Sequence, residues 1–420
     1  MLNEEQSNAV DNMVAFLQAG ESHFFALTGS AGTGKTYCIR ELRERIKGRF
    51  IYTAPTNKAT KVLRDTLTTP EYRPECKTIY SLLGLRLEAN GEIKELSKPE
   101  EEIDLSLYTA IIVDEGSMVN STLVKYIQEA ALEQDLKFIF MLDLAQLPPV
   151  GEQQTKVCEI ADETAELTKV MRYDNQILTL ATNLRKQVYH PAPSFKPITD
   201  NLNGEGIWSL SGREFRERIL EAAGNGRFSD GKDAKAIAWT NATTITMNNL
   251  IRARLFDDSA MTTWLPTDRV ILMEPANDLE GEKVASTDDE GVVLRADIDY
   301  HPHYPEFKIW RLTVTLDDNR TIALRTLHED SQRLAEARIQ ELLAAAKLDR
   351  RKWKQFWDFK EAFHKARHGY AITAHRSQGS TYNAVFVDWR DILSNRTRSE
   401  AFRCLYVACT RPKHELYLGG

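Results

Sequence analysis

The stretch Gly29-Ser30-Ala31-Gly32-Thr33-Gly34-Lys35-Thr36 decides the fold of this chain. It follows a short apolar run, His23 to Leu27, and precedes a segment with helical periodicity, Ile39 to Ile46. A strand, a glycine-rich loop and a helix in this order give the pattern G-x-x-x-x-G-K-[ST] the context of a phosphate site. We therefore predict that every residue from Gly29 to Thr36 contacts a bound nucleotide, and we disfavour a chance glycine-rich turn.

The residue types in the loop suit phosphate chemistry. Glycines let the backbone approach the phosphates, and successive N–H groups form an anion-binding nest at the positive end of a helix. The Lys35 ammonium is expected to reach the β and γ phosphates, and the Thr36 hydroxyl is expected to ligate Mg²⁺.

The composition is typical of a globular protein with several domains. The chain has 420 residues, of which 42% are hydrophobic and 27% are charged, which suggests about two to four domains. Its five cysteines form no C-x-x-C pair, so we expect reduced thiols in a cytosol-like compartment. No apolar run reaches membrane-spanning length, and the first residues have no signal-peptide character. The net charge of -7 argues against a protein that coats nucleic acid, yet permits a local basic channel.

Two later strand ends carry polar residues that suit hydrolysis. The run Ala110–Val113 is a buried-strand pattern, and it ends in Asp114 and Glu115. Asp114 is predicted to hold Mg²⁺, directly or through water, while Glu115 orients and deprotonates the attacking water. The next apolar strand, Lys137–Leu142, leads to Gln146, which we predict to sense the γ-phosphate.

Gln6 has two interpretations. An amphipathic helix begins after Asn3 and runs to about Gln18, with Gln6 at the capping-box position. A side-chain amide can also contact an adenine edge as donor and acceptor. The spacing alone favours the capping role.

Several strand ends in both halves carry groups that suit a sugar-phosphate backbone. In the first half they are Pro55, Thr56 and Asn57, where Thr56 is compatible with a helix N-cap as well. In the second half, the strand Ala234–Trp239 leads to Thr240 and Asn241, and the stretch Gly369–Thr381 ends in a cluster of His, Arg, Ser, Gln and Thr. No second phosphate loop follows, so one nucleotide site is shared between two halves. Arg411 is either a surface charge or an arginine finger from the opposite domain.

Two segments interrupt the α/β alternation. Residues 85–96 alternate around Asn90-Gly91, a strong hairpin signal. Residues 269–327 form short alternating strands that predict a small antiparallel barrel or sheet, followed by two helices, Glu329–Ala346 and Arg351–His364. The aromatic stripe of the second helix is compatible with stacking on bases, but we favour a packing face. Residues 189–206 are predicted to be a loop.

Taken in order, the motifs resemble those of superfamily 1 helicases, and most closely the RecD-like class B branch with its small phage helicases of the Dda type. The match spans nearly the whole chain. The segments that carry it are Gly29–Thr36, Ala54–Lys58, Thr78–Leu82, Asp114–Met118, Asp143–Gly151, Leu167–Arg172, Ala238–Asn241, Trp353–Lys360, Tyr370–Thr381 and Leu405–Arg411. The family usually has Val where Gly116 stands and Gly where Leu142 stands, and the hairpin tip here has no aromatic residue.

The resemblance implies an α/β fold with two RecA-like P-loop domains, a β-hairpin pin inserted in the first, and a Src-homology-3-like barrel with a helical tower inserted in the second. The implied boundaries are residues 1–160 for the first domain, with the pin at 85–106, then 161–268 and 367–420 for the second, with the insertion at 269–366. The resemblance places the ATPase positions at Lys35, Thr36, Asp114, Glu115, Gln146, Arg172 and Arg411, and the adenine contact at Gln6, with Gly379 also assigned to the nucleotide site. It places strand contacts at Pro55, Thr56, Asn57, Thr78, Thr240, Asn241, Thr373 and His375.

The function implied is an ATP- and Mg²⁺-dependent DNA helicase that moves 5′ to 3′ on single-stranded DNA and unwinds forked duplex. We expect a monomer in the cytoplasm of a bacterial or phage-infected cell, acting in replication or repair beside replication or single-strand-binding proteins, without a membrane. The alternatives are a translocase that displaces bound proteins with little unwinding, a non-catalytic nucleotide-binding scaffold, and an RNA substrate.

Overall fold

The computed structural model describes residues 2–90, 92–99, 103–170, 176–256 and 262–420. Two six-stranded sheets form the centres of two α/β units, and a third, antiparallel sheet lies in an insertion of the second unit. The predicted fold class, an α/β chain with two parallel-sheet domains, is confirmed.

The first unit is built around the sheet order β3-β2-β6-β7-β1-β8, in which all neighbours are parallel. The prediction that this domain ends at residue 160 is wrong, because β8 pairs with β1 and extends the sheet to Leu167. The elements are α1 Glu4–Gln18, β1 Phe24–Gly29, α2 Lys35–Arg45, β2 Phe50–Ala54, α3 Asn57–Leu67, β3 Glu75–Thr78, α4 Ile79–Leu82, β4 Arg86–Asn90, β5 Ile93–Ser97, β6 Ala110–Val113, α5 Ser121–Gln134, β7 Phe138–Leu142, α6 Val157–Ile160 and β8 Glu163–Leu167, with a 3₁₀ turn at Gly116–Met118.

The central strands of this sheet are continuous apolar runs because helices cover both faces. Strands β2, β6 and β7 are buried at every residue, which is typical of parallel strands inside an α/β domain. One core lies between the sheet and α5, around Ile127 and Phe140. The other lies between the sheet and α1, α2 and α3, around Phe16 and Tyr52.

The rest of the chain forms the second unit and its insertion. Its elements are α7 Gln176–Val188, β9 Asp200–Leu202, β10 Glu205–Ser209, α8 Gly212–Gly224, β11 Ala234–Ala238, α9 Asn241–Leu255, β12 Arg269–Leu272, β13 Ala276–Asn277, β14 Lys283–Ala285, β15 Glu290–His301, β16 Tyr304–Leu316, β17 Thr321–Leu327, α10 Gln332–Leu348, α11 Trp353–Ala362, β18 Ala366–His368, β19 Ala371–Thr373, α12 Ala374–Ser377, β20 Tyr382–Asp388, α13 Trp389–Leu393, α14 Arg398–Cys409 and β21 Pro412–Gly419, with 3₁₀ turns at Glu329–Ser331 and Arg350–Lys352.

The second sheet has the order β19-β11-β20-β21-β10-β9, parallel except for the edge strand β9. The prediction of a continuous loop over residues 189–206 is wrong at its end, because β9 and the start of β10 pair across the turn at Asn203 and Gly204. Both turn residues have positive φ, 53° and 84°, a conformation that asparagine and glycine adopt more readily than other residues.

The insertion is an antiparallel sheet of order β17-β16-β15-β12-β18, with α10 and α11 packed against its long β15–β16 hairpin. Strands β12 and β18 are paired, with Val270 opposite His368, so the insertion begins and ends side by side. The aromatic stripe of residues 353–364 packs as predicted: Phe356 and His364 are buried, and Trp353 and Trp357 are half-buried.

A β-hairpin projects from the first unit at the predicted place. Strands β4 and β5 pair in register up to Asn90 and Ile93, and Gly91 lies outside the described residues. The Tyr126 hydroxyl of α5 donates to the Leu96 carbonyl at 2.7 Å and ties the base of the hairpin to the domain.

All five cysteines are free thiols. Throughout the described ranges, we find no helix with both the length and the apolar character needed to cross a bilayer.

Candidate nucleotide site and strand-binding edges

The phosphate loop has the predicted strand–loop–helix context, since β1 ends at Gly29 and α2 begins at Lys35. Gly32 and Gly34 have φ values of 81° and 91°, in the left-handed region that favours glycine. A Cβ on Gly34 would lie 2.4 Å from Gln6 Nε2. The loop therefore requires glycine at this position both for its backbone conformation and for its contact with α1.

Side chains within the loop keep its polar groups in place. Lys35 Nζ donates to the carbonyls of Gly29 and Ser30 at 2.6 and 3.1 Å. The buried Thr33 hydroxyl donates to the Ser30 carbonyl at 2.9 Å. Because the ammonium is held over the loop by these carbonyls, it lies where a phosphate bound by the backbone nest would meet it.

Gln6 combines the capping role with a contact to the loop. Its Oε1 accepts from Asn3 N at 3.0 Å, and its backbone N donates to Asn3 Oδ1 at 2.8 Å, which completes the capping box. Its Nε2 donates to the Thr33 carbonyl at 2.9 Å. The capping interpretation is confirmed, and the adenine contact stays a prediction.

The two carboxylates at the end of β6 are adjacent and enclosed. Asp114 Oδ1 accepts from Glu115 N at 2.9 Å, and Glu115 has a left-handed backbone with φ 52°. Burial raises the pKa of both groups, and for Glu115 burial and the neighbouring charge of Asp114 raise it to about 7. The charges of Arg411 and Lys35 act in the opposite direction on Glu115. A carboxylate that titrates near neutral pH is suited to take a proton from water.

The residues predicted to ligate magnesium fit a hard cation. Thr36 and Asp114 offer a hydroxyl and a carboxylate oxygen, the ligand types that Mg²⁺ prefers. Asp114 is close enough to the Lys35 ammonium for that charge to lower its pKa, although burial outweighs this effect. A divalent cation at this point would add positive charge beside a carboxylate that burial has destabilised.

Contacts from the second unit reach the loops after β6 and β7. Gln378 Nε2 donates to Gln146 Oε1 at 3.1 Å and to Ser117 Oγ at 3.4 Å. The Tyr406 hydroxyl donates to Asp143 Oδ2 at 2.5 Å, in a buried position. These bonds connect the two halves at Gln146, the predicted γ-phosphate sensor, although Gln378, Tyr406 and Asp143 were not among the predicted site residues.

Arg411 is buried, so the surface-charge interpretation is wrong. Its guanidinium donates to the carbonyls of Val407 and Ser380 and to the Thr410 hydroxyl, at 2.9, 3.2 and 2.7 Å. No ion pair of Arg411 is found within the described part of the chain. Its charge nevertheless lowers the pKa of Glu115, so it faces the carboxylates from the second unit. The other predicted arginine, Arg172, lies outside the described residues.

The two departures from the family pattern lie against each other. A Cβ on Gly116 would lie 3.4 Å from Leu142 Cβ and 3.2 Å from the Met141 carbonyl oxygen. A small residue in the loop after β6 therefore faces a large residue at the end of β7, where the family has the reverse. We interpret the pair as a compensated exchange of volume.

Four of the predicted strand contacts are N-caps at strand ends. Each threonine hydroxyl accepts from the backbone N–H three residues later; they are Thr56, Thr78, Thr240 and Thr373, which cap α3, α4, α9 and α12. The first two follow neighbouring strands of the first sheet, and the other two follow neighbouring strands of the second. The predicted cap at Thr56 is confirmed.

The remaining predicted contacts have mixed surroundings. Asn57 is exposed at the start of α3, two residues after the half-buried Pro55. Asn241 Oδ1 accepts from Arg367 Nη1 at 2.8 Å, and it lines, together with Thr373, a cavity of about 420 Å³ between the second sheet and the insertion. Gly379 lies against α3, where a Cβ built on it would be 3.0 Å from Ala59 Cβ, and its assignment to the nucleotide site stays a prediction.

His375 is paired within the second unit. Its Nε2 lies 3.6 Å from Glu400 Oε1, and burial lowers its pKa. His375, Glu400 and the buried Cys404 thiol are the one group of potential metal ligands that the described residues bring together, within 4.8 Å. The role of His375 as a strand contact stays a prediction.

The comparisons with known proteins agree with this arrangement. A family model described as an AAA domain matches residues 1–191, and a UvrD-like helicase C-terminal domain matches residues 368–418. The ATP-dependent DNA helicase dda of Enterobacteria phage T4 is 24% identical over 452 residues, covering 99% of this chain and 98% of the relative. The uncharacterized protein R530 of Acanthamoeba polyphaga mimivirus is 22% identical over 510 residues and covers 99% of both.

Among solved structures, the Pif1 helicase from Bacteroides in complex with ADP-AlF3 and ssDNA has a TM-score of 0.51 at 17% identity, over 99% of this chain and 92% of that one. A structure of Pif1 helicases at forked dsDNA gives the same values. The chain resembles a superfamily 1 class B helicase. The resemblance to the superfamily 1 class B helicases, and to the Dda type among them, which the motifs predicted, is confirmed, and the likeness to the solved Pif1 fold covers 99% of this chain.

Proposed function

We propose that this chain is an ATP-dependent DNA helicase that moves 5′ to 3′ on single-stranded DNA and unwinds duplex. The observation that carries the proposal is the pair of contacts from the second unit, Gln378 to Gln146 and Tyr406 to Asp143, at the loops beside the phosphate loop. A nucleotide held between two α/β units that each carry polar strand ends is the arrangement of a motor. Binding and hydrolysis of the nucleotide would then change the position of one unit relative to the other.

The chain's own residues divide the hydrolysis among them. The loop N–H groups and Lys35 hold the phosphates, while Thr36 and Asp114 hold Mg²⁺, which shields the phosphate charge when bound. Glu115 accepts a proton from the attacking water, and its raised pKa makes it a stronger base than an exposed carboxylate. Arg411 brings positive charge from the second unit, as an arginine finger does.

The capped strand ends support a path for the strand. In each unit, two adjacent parallel strands end in a threonine-capped helix start, where backbone N–H groups and hydroxyls suit phosphate oxygens. Ligands of open α/β sheets gather at this carboxyl edge. The strand would therefore run over the edge of the first sheet and on to the edge of the second.

We assign the β4–β5 hairpin to the pin and the insertion to a Src-homology-3-like barrel with a tower. Lys94 of the hairpin forms an ion pair with Glu361 of α11 and lies 5.2 Å from the Trp357 ring centroid. Lys347 of α10 and Glu92 form a second pair at 3.1 Å. These contacts support a hairpin that the tower holds in place against a duplex.

The test is unwinding of forked duplexes that carry either a 5′ or a 3′ single-stranded tail. We expect ATP-dependent unwinding of the 5′-tailed fork only, and its loss in Lys35→Ala. Single-stranded DNA should also stimulate ATP hydrolysis. A protein with stimulated hydrolysis that unwinds only the 3′-tailed fork would refute the polarity, and one without stimulated hydrolysis would refute the motor.

A translocase with little unwinding is the second candidate, favoured by the polar hairpin tip of Asn90 and Glu92. It shares every nucleotide contact and differs only in the use of the hairpin. Deletion of residues 88–94 distinguishes the two. A helicase should lose unwinding and keep translocation along single strands, whereas in a translocase the deletion should change neither.

A further inference from the structure

A lysine of the first unit is buried against the second. Lys58 lies on the first turn of α3, and its Nζ donates to Glu290 Oε1 at 2.6 Å and to the Tyr382 hydroxyl at 3.0 Å. Glu290 begins β15 of the insertion, and Tyr382 begins β20 of the second sheet. The Lys58 side chain is 20% exposed and that of Glu290 is 5% exposed, so the contact is largely removed from water.

Glu290 is already compensated within its own unit. Its Oε2 accepts from Lys235 Nζ at 2.8 Å and lies 3.4 Å from Arg269 Nη2. Arg269 also pairs with Asp317 at 2.8 Å. Two cations therefore face two carboxylates without any contribution from Lys58.

This balance makes the Lys58 contact detachable. Removal of one member of a buried ion pair is costly when it leaves the other charge uncompensated. When Lys58 withdraws, Glu290 still has Lys235 and Arg269, so the second unit keeps a neutral cluster. The contact is thus suited to repeated formation and loss.

The same segment of the insertion also reaches the second strand-binding edge. Asp288, two residues before Glu290, forms an ion pair with Arg376 of α12, the helix that Thr373 caps. Lys58 itself follows the cap Thr56. Asp288 and Glu290 therefore connect the strand-end loop of the first unit with that of the second.

The Lys58 contact occurs together with other contacts between the two units across the nucleotide cleft. In the same structure Gln378 bonds to Gln146 across the cleft, and Gly379 packs directly against Ala59, the neighbour of Lys58. A displacement of α3 from β20 by a few ångströms would separate Lys58 Nζ from both of its acceptors, since a hydrogen bond is lost within such a distance.

We propose that Lys58 and Glu290 are positioning residues that fix the spacing between the strand-end loops of the two units when the cleft is closed. The inference rests on the proposed motor function and deepens it. Closure over ATP sets one defined distance between the two grips on the strand, and opening releases the Lys58 contact and lets that distance change.

The test compares Lys58→Met with Lys58→Arg and with Lys125→Met, an exposed lysine on α5 of the same unit. In Lys58→Met, we expect the kcat of DNA-stimulated ATP hydrolysis to fall about tenfold, the factor that a charge-assisted hydrogen bond typically carries. Binding of a fluorescent ATP analogue without DNA should be unchanged, because the phosphate loop is intact. Lys58→Arg should recover most of the kcat, and Lys125→Met should behave as wild type.

Small-angle scattering adds a readout that does not depend on catalysis. With a non-hydrolysable ATP analogue and oligothymidylate, Lys58→Met should have a larger radius of gyration than wild type. Wild-type kcat and an unchanged radius in Lys58→Met would overturn the inference. A wild-type protein without DNA-stimulated hydrolysis would instead refute the proposed function. The radius of gyration of Lys58→Met would then still test whether the Lys58 contact fixes the spacing between the units. If Lys58→Met unfolds, Tyr382→Phe, which removes only one acceptor, takes its place with a smaller change of the same sign.

Discussion

Substitution of Glu115 by glutamine should remove hydrolysis and stabilise the protein at the same time. Burial and the charge of Asp114 raise the pKa of Glu115 to about 7. The folded protein therefore holds this proton more tightly than the unfolded chain, whose glutamates titrate near their ordinary value. The stability that depends on this proton is complete below the unfolded pKa and is lost as the pH rises through 7.

The size of the effect follows from the two pKa values. With an ordinary value of 4.5 and a folded value of about 7, the raised pKa of Glu115 lowers the free energy of unfolding by about 3 kcal/mol at pH 8 and by about 1 kcal/mol at pH 5. Glu115→Gln removes the charge and keeps the shape, so nucleotide-free Glu115→Gln should unfold at a higher temperature than wild type at pH 8. The difference should shrink at pH 5. ATP hydrolysis should fall by about 10²–10⁴-fold, as expected for loss of a general base.

Calorimetry at the two pH values provides the measurement, with Glu21→Gln, an exposed residue after α1, as the control. Glu21→Gln should leave both the unfolding temperature and hydrolysis unchanged. A Glu115→Gln protein that is no more stable than wild type at pH 8 would refute the assignment of a destabilised carboxylate. Retained hydrolysis in the same variant would refute Glu115 as the base.

Two further outcomes follow from the site and the hairpin. The rate of DNA-stimulated hydrolysis should decline on the acid side of its pH profile with an apparent pKa near 7. In Arg411→Gln this acid limb should move to higher pH, because the Arg411 charge lowers the pKa of Glu115. Profiles of rate against pH at saturating ATP measure the shift, and an acid limb at the wild-type position would contradict it. Lys94→Ala removes the contacts of the hairpin with Glu361 and Trp357, so stopped-flow unwinding should slow severalfold while DNA-stimulated hydrolysis stays constant. Equal losses in both assays would contradict a pin held by the tower.

Local signals made much of this molecule predictable. The capping box of Asn3 and Gln6 involves partners three residues apart, and the Asn90-Gly91 sequence predicted a hairpin whose strands pair up to Asn90 and Ile93. The phosphate loop is likewise one continuous segment. In each case the residues that decide the structure are neighbours in the chain, so their spacing alone contains the information.

Contacts between the units could not be predicted in the same way. Tyr406 and Asp143 are 263 residues apart, and Gln378 and Gln146 are 232 apart. Each lies inside a motif that the sequence identified, but no periodicity links one motif to the other. The ion pair of Lys58 with Glu290 could not be predicted from the sequence either, because it depends on how the insertion packs against α3.

Edge strands were also missed because they lack an apolar run. Strand β8 alternates between half-buried and exposed positions before its buried end at Leu167, and all of β9 is exposed. A strand with one open edge needs only a neighbour's backbone to pair with, so its side chains carry little signal. The first domain boundary and the end of the 189–206 loop were misplaced for this reason.

The side-by-side ends of the insertion have an engineering consequence. Val270 and His368 are opposite each other on paired strands. The insertion of about one hundred residues is therefore joined to the second unit at two points that are no farther apart than the ends of a hairpin turn. Such an attachment is a site at which one inserted module can be exchanged for another. A short loop, or another compact module with neighbouring ends, could join these two points, and Lys235 of β11 and Lys58 of α3 would then lose Glu290 as their partner.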